Sequence, residues 1–241
     1  MKELVDTALE TCSKAGASYA DIRIVTISGE DITVKKGIVQ RLNLTRIKGF
    51  GIRALANGGL GFAGSFDLTG SEVKRVAELA VRIATASGST RKQPVQFIEK
   101  EVTEDSYQTS FKKNPFKVPV EEKIDVLVEA DKRMALDPAI KMTTADYRAH
   151  EEDKIFACTE GSYIKQQVLF CGGGISCVAS GFGSTPQIRS YPGSFRGDFA
   201  TRGYEYFEKL DLSRSIRSFA GMPLCCAAIR SCPNRWRSRD S

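Results

Sequence analysis

Hydrophobic residues change their spacing along this chain, and that change limits the folds open to it. Between Thr69 and Ser87 they follow the helical repeat of about 3.6 residues. The stripe comprises Val73, Val76, Ala77, Ala80, Val81 and Ala84. Thr69 and Glu72 have the spacing of a capping box. From Ala20 to Ser28, by contrast, Ile22 and Ile24 alternate with polar residues, which predicts a strand.

Two further helices are predicted on either side of this region. One covers Lys2 to Ala15, with Cys12 on its apolar face and Gly16 at its end. The other runs from Pro119 to about Leu136, because proline suits a first turn and acidic residues follow it. The predicted buried face of this helix consists of Ile124, Leu127, Val128 and Met134.

Short strands joined by turns account for most of the remaining chain. The predicted turns lie at Gly29, Lys36-Gly37, Asn57-Gly58-Gly59, the HEED run of residues 150–153 and the three glycines 172–174. The polar stretch 88–119 predicts a long connection, and it is also where a domain sub-boundary would lie. The pattern indicates an α+β fold with helices packed on a largely antiparallel or mixed sheet.

Composition and charge limit the cellular compartment and the binding partners that we expect for this chain. No apolar run approaches the roughly 20 residues of a membrane helix, and acidic residues interrupt the N-terminus, so we expect a cytoplasmic protein with reduced thiols. Residues 212–241 contain six arginines and a single acid, and they supply +5 of the net charge of +6. The body is therefore nearly neutral, and we do not expect it to bind nucleic acid.

Histidine is the residue that zinc proteases need most, and this chain has one. His150 and Glu151 resemble the start of a zinc motif, but a second histidine one turn later is required, and Lys154 and Ile155 occupy those positions. The cysteines form no CxxC pair. We therefore predict no catalytic residue, no metal ligand and no cofactor bound by this chain.

A glycine motif also has a structural interpretation. Residues 59–64 spell GxGxxG, but a dinucleotide loop must open directly into a helix, and here the motif continues from a predicted hairpin. We predict that these glycines serve the hairpin.

Several segments, taken in order, resemble the N-terminal domain of the TldD/PmbA family. They are YADIRI, VQRLN, GFGIRAL, GGLGFAGSFDLT and AVRIATAS, followed late in the chain by IRSYPGSFRGDF and TRGYEYFEKLD. The resemblance covers residues 1–211. It implies a cytosolic zinc metalloprotease linked to peptide maturation and described as a modulator of DNA gyrase. It also implies homodimers or paired heterodimers that enclose a peptide channel.

The chain departs from the family after residue 211. There the family continues with a helix that carries HExxxH, whereas residues 212–241 are rich in arginine, serine and cysteine. We expect this tail to be disordered or read out of frame, and the chain to be truncated before the zinc motif. Zinc is implied for the complete family protein, and the chain alone is expected to be inactive.

The remaining role is binding. An extended or unfolded peptide can pair with exposed strands largely regardless of its sequence. Arg189, Tyr191, Arg202 and Tyr204 lie in the family-like segments and are the predicted peptide contacts, although ordinary packing also explains them. Two alternatives stay open. One is a stand-alone regulatory module that pairs with a complete subunit, and the other is nucleic-acid binding through the basic tail.

Overall fold

The computed structural model describes residues 1–98, 101–135, 138–180, 186–192 and 197–212. Its helices are α1 (Lys2–Lys14), α2 (Gly70–Ser89), α3 (Val120–Met134) and α4 (Tyr204–Leu210). Its strands are β1 (Tyr19–Lys35), β2 (Ile38–Ala56), β3 (Gly59–Ser65), β4 (Glu104–Gln108), β5 (Ile140–Cys158), β6 (Tyr163–Ala179), β7 (Gln187–Tyr191) and β8 (Asp198–Ala200). The α+β prediction is confirmed. Of the tail predicted at residues 212–241, Leu212 is described and is buried, and residues 213–241 lie outside the described residues.

The strands form one mixed sheet in the order β3-β2-β1-β5-β6-β4, and β7 and β8 also pair with β6. Strand β3 runs antiparallel to β2, with Gly61 opposite Ala54. Strands β7 and β8 run antiparallel to β6, whereas β4 runs parallel to it. Antiparallel pairing therefore predominates among these four strand pairs, as the hairpin pattern predicted.

The chain divides into two compact units. The first contains residues 1–28, 45–109 and 151–168, and the second contains residues 29–44, 110–150 and 169–241. The four long strands β1, β2, β5 and β6 contribute residues to both units.

In the first unit, α2 packs on β3 and α1 packs on α2. The buried core includes Cys12, Ile22, Ile52, Val76 and Ala80. The GxGxxG glycines allow this packing: an ideal Cβ on Gly61 would lie 2.1 Å from the Ala80 carbonyl oxygen, and one on Gly59 would lie 2.2 Å from that of Ala84. The glycines bring a helix backbone against the hairpin, which confirms the structural interpretation of the motif.

In the second unit, α3 and α4 supply the core. Tyr147 of β5 packs edge-on against Phe207, with ring centroids 4.8 Å apart, and Tyr204 lies beside both. A buried ion pair adjoins these rings: Lys123 Nζ lies 2.8 and 2.7 Å from the two carboxylate oxygens of Glu30. The side chains are 0% and 3% exposed, so each charge depends on the other for compensation.

The three predicted helices are confirmed, but the buried face of α3 differs from the predicted one. Thr69 caps α2, and its hydroxyl accepts a hydrogen bond from the Glu72 N–H at 3.4 Å. The buried face of α3 consists of Lys123, Leu127, Ala130, Asp131 and Met134, so the predicted Ile124 and Val128 are its flanks. Two charged residues are buried because each has a partner: Glu30 for Lys123, and the Gly37 N–H for Asp131.

Two predicted turns are confirmed by backbone angles. Lys36 and Gly37 have φ values of 51° and 73°, and Asn57 and Gly58 have φ values of 50° and 66°. These are the positive angles that two-residue hairpins require.

The other three predicted turns are wrong, because long strands pass through them. Strand β1 continues through Gly29 into the buried Glu30. Strand β5 continues through HEED, where the His150 ring stacks on Phe170 at 4.9 Å and Glu151 accepts a hydrogen bond from Gln167. Strand β6 contains all three glycines. Backbone atoms of Asp198, Asp146 and Gly197 approach Gly172, Gly173 and Gly174, respectively, too closely for side chains.

We predict that Gly61→Ala destabilises the protein by about 1–3 kcal/mol, because the added methyl group overlaps the α2 backbone. Gly70→Ala is the matched control, since a Cβ there meets nothing within 4 Å. Urea unfolding followed by circular dichroism measures both. Equal midpoints for the two variants would contradict the packing described for α2.

We predict that Lys123→Met alone costs about 3–5 kcal/mol, because it leaves the Glu30 carboxylate buried without its cation. Adding Glu30→Leu to the same chain should recover most of this loss. Lys14→Met removes an exposed ion pair with Glu10 and should change stability by less than about 1 kcal/mol. A single variant as stable as the double one would refute the pairing.

Candidate functional site

The first unit leaves one face of its strands open to solvent among the described residues. Alternate residues of β1 point to opposite faces, so Asp21, Arg23, Val25 and Ile27 lie opposite the buried Ile22 and Ile24. They line a groove of about 460 Å³, which we call the apolar groove. Its lining residues are Asp21, Arg23, Val25, Ile27, Ile47, Gly49, Phe50, Gly51 and Phe62.

Large apolar side chains in this groove remain exposed. Ile47 is 58% exposed and Phe62 is 64% exposed. The ring of Phe62 lies over Gly51, where an ideal Cβ would come within 2.8 Å of its edge. Exposed apolar surface of this kind is typical of a binding site.

One end of the groove carries a buried charge. Asp21 is 1% exposed, and its Oδ2 accepts a hydrogen bond from Arg53 Nε at 2.8 Å. Its Oδ1 has no hydrogen-bond partner among the described residues, and Arg23 lies 3.5 Å from it. Two guanidinium groups therefore surround one carboxylate, which leaves this end of the groove with an excess of positive charge and of hydrogen-bond donors.

Aromatic rings hold both arginines in place. The Arg53 guanidinium lies 5.3 Å from the ring centre of Phe97, and that of Arg23 lies 5.2 Å from the ring centre of Phe156. Tyr19 packs edge-on against Phe97. Burial, together with the neighbouring Asp21, raises the pKa of Tyr19 to about 12, so this phenol stays protonated at neutral pH.

The second unit has an open face with polar character. Its shallow cavity of about 200 Å³ is lined by Thr33, Lys35, Arg41, Met142, Thr144, Asp146, Ser176, Val178 and Ile188. The Thr33 hydroxyl donates to Asp146 at 2.7 Å and accepts from Arg41 at 3.1 Å. These polar groups satisfy one another, so the face presents a paired network with exposed apolar residues at its rim.

The four predicted peptide contacts all lie in the second unit, in different environments. Arg189 of β7 and Arg202 are exposed. Tyr191 is half-buried, and its hydroxyl donates to the Leu210 carbonyl oxygen at 3.1 Å. Tyr204 is 1% exposed, and burial raises the pKa of its phenol. The two tyrosines therefore contribute to packing in this structure, and the two arginines are the members available to a ligand.

The described residues do not fit a zinc centre. They contain no group of three or more histidine, cysteine, aspartate or glutamate side chains that could hold a metal ion. His150 stacks on Phe170. Burial raises the pKa of Cys12 and of Cys171 to about 11, which disfavours the thiolate that a metal or a nucleophilic reaction needs.

Sequence patterns did not reveal the charged end of the apolar groove. Asp21 and Arg53 lie 32 positions apart and meet only because β1 and β2 are neighbours in the sheet. A usable signal existed, because Asp21 and Arg23 interrupt an apolar strand on the same face.

Among the described residues, no helix is long and apolar enough to cross a membrane.

Two family models match the chain. The PmbA/TldA metallopeptidase domain 1 matches residues 20–84, and the PmbA/TldA metallopeptidase central domain matches residues 113–222. A metalloprotease of Methanocaldococcus jannaschii is 28% identical over 177 residues, covering 73% of this chain and 39% of that protein. A metalloprotease of Methanothermobacter thermautotrophicus is 30% identical over 194 residues, covering 80% and 40%. The chain thus spans about two fifths of the length of these relatives.

Solved structures share the fold at low identity. A candidate modulator of DNA gyrase from Bacteroides thetaiotaomicron has a TM-score of 0.67 at 12% identity, over 90% of this chain and 48% of that one. A second candidate modulator, from Thermotoga maritima, has a TM-score of 0.62 at 19% identity, over 83% and 43%. TldE of Thermococcus kodakarensis has a TM-score of 0.55 at 16% identity, over 82% and 42%. With both domain models matched in chain order, the protein belongs to the PmbA/TldD family of metalloprotease-like proteins.

Proposed function

We propose that this chain is the peptide- and partner-binding part of a PmbA/TldD metalloprotease, and that the zinc ligands of the complete enzyme lie outside these 241 residues. The observation that carries the proposal is the combination of family membership with a single histidine. The zinc-protease motif places two histidines one turn apart on a helix, and this chain has a single histidine. The chain alone is then inactive as a protease.

Exposed strand segments support the peptide-binding part of the proposal. All five residues of β4 are exposed, and β4 lies at the end of the strand order. Residues 38–44 of β2 are likewise exposed throughout. A strand with an open edge offers backbone N–H and C=O groups to an extended peptide, whatever the peptide's side chains. Extended or unfolded polypeptides are therefore the proposed substrate class.

Arg189, Tyr191, Arg202 and Tyr204 remain the proposed peptide contacts. The exposed Arg189 and Arg202 would hydrogen-bond to peptide carbonyl or carboxylate groups, which guanidinium groups recognise well. Tyr191 and Tyr204 would act by positioning the segments that carry the arginines, because both lie in or against the second core.

The proposed partner is a second family subunit, in a homodimer or a heterodimer. Large apolar residues are exposed on both units, among them Ile38, Leu44, Phe62, Phe66 and Ile188. An uncovered apolar surface of this extent suits burial by another protein chain. Cys12, Cys158 and Cys171 are free thiols, which fits the proposed cytoplasmic setting.

Binding of unfolded protein tests the proposal directly. Fluorescein-labelled, reduced and denatured casein should raise its fluorescence anisotropy on addition of this chain and remain uncleaved over hours. Addition of a full-length family relative with zinc tests pairing: a stable complex supports partner binding. Failure to bind casein at any reachable concentration would refute the function.

We predict that Arg189→Ala and Arg202→Ala each weaken casein binding about threefold to tenfold, because each removes a charge-assisted hydrogen bond. Arg82→Ala is the matched control, since it removes an exposed arginine on α2 of the first unit. If all three variants bound casein with equal affinity, Arg189 and Arg202 would not belong to the binding surface.

Truncation has its own test. Sequencing of the locus should reveal HExxxH in a shifted reading frame just downstream of the codon for Asp211. A locus that encodes no such motif in any frame would rule out the frameshift account of residues 212–241 and would favour a stand-alone binding module.

A further inference from the structure

The apolar groove of the first unit combines two features along one line. Asp21, Arg23, Val25 and Ile27 are alternate residues of β1 and point to the same face. The first two are charged and the last two are apolar, and Ile47 and Phe62 widen the apolar end. The groove therefore has a polar end and an apolar end, separated by about 20 Å of strand at most.

Charges at the polar end are unbalanced. Arg53 hydrogen-bonds to Asp21 Oδ2, whereas Asp21 Oδ1 is buried without a hydrogen bond and Arg23 stands 3.5 Å away. The Arg23 side chain is 45% exposed, so a ligand can reach it. Asp21 itself is only 1% exposed, so a ligand at this end contacts Arg23 and must accept hydrogen bonds from its guanidinium group.

The C-terminal residue of a peptide has this property. Its α-carboxylate accepts bidentate hydrogen bonds from a guanidinium group. An incoming ammonium group would add a second excess positive charge to the two arginines, which electrostatics opposes. A carboxylate instead neutralises the excess.

We propose that the apolar groove captures the free C-terminus of an extended peptide whose last residues are apolar. This inference rests on the proposed function and gives it a location and a specificity. The terminal carboxylate pairs with Arg23, and the preceding side chains lie against Val25, Ile27, Ile47 and Phe62. A span of about 20 Å accommodates about six residues.

A pair of probes tests this assignment. Two N-terminally fluorescein-labelled hexapeptides, Gly-Ser-Leu-Val-Leu-Val, differ only in a C-terminal carboxylate or amide. Fluorescence anisotropy should show about tenfold weaker binding of the amide, because it loses the charge-assisted hydrogen bonds to Arg23. In the Arg23→Gln variant the two peptides should bind with equal, weak affinity.

Apolar contacts are tested separately. Ile47→Asp places a charge in the groove and should weaken binding of both peptides about tenfold. Ile83→Asp is the matched control, since Ile83 is 40% exposed on α2 and does not line the groove. Urea midpoints of all three variants should stay close to that of the unaltered chain, because each altered side chain is at least 40% exposed.

The outcomes separate the two proposals. Peptides that bind with equal affinity as acid and amide, and are unaffected by Arg23→Gln and Ile47→Asp, would overturn the groove assignment and leave the proposed function standing. Absence of binding by both peptides and by casein would overturn the proposed function together with the groove.

Discussion

Alternation along the long strands decides which face of the sheet the helices cover, and the binding surfaces depend on that choice. In β1, Ile22 and Ile24 are buried beneath helices, so Asp21 and Arg23 necessarily point to the opposite face. In β5 the buried residues are Ala145, Tyr147 and Ala149, which leaves Asp146 and Arg148 on the open side. The faces that lack helices therefore carry the polar groups and the exposed apolar residues of the two cavities described above.

Local sequence patterns predicted the helices and turns that depend on residues close together in the chain. The apolar stripe and the Thr69 cap predicted α2, and positive φ angles at Lys36-Gly37 followed from a two-residue hairpin. The strands were longer than predicted, because residues that are typical of turns found partners within them. His150 stacks on Phe170, and the β6 glycines make room for neighbouring backbone. Such partners are distant in sequence, so no local pattern reports them.

The candidate sites likewise combine features that the sequence alone predicts with contacts that only the fold creates. The sequence alone shows that there is no second histidine, and this excludes the usual zinc motif. The meeting of Asp21 with Arg53 and of Lys123 with Glu30 depends on sheet order and helix docking. Burial of Lys123 could not be inferred from helical periodicity, because a charged residue is expected on the solvent face.

The proposed function assigns peptide binding to this chain and zinc ligation to a part of the metalloprotease outside these 241 residues. The most direct test is the zinc content of the purified chain, measured by plasma mass spectrometry after dialysis, together with its ability to cleave casein unaided. The account predicts zinc well below one ion per chain and intact casein. One firmly held zinc ion per chain with cleavage of casein would contradict it.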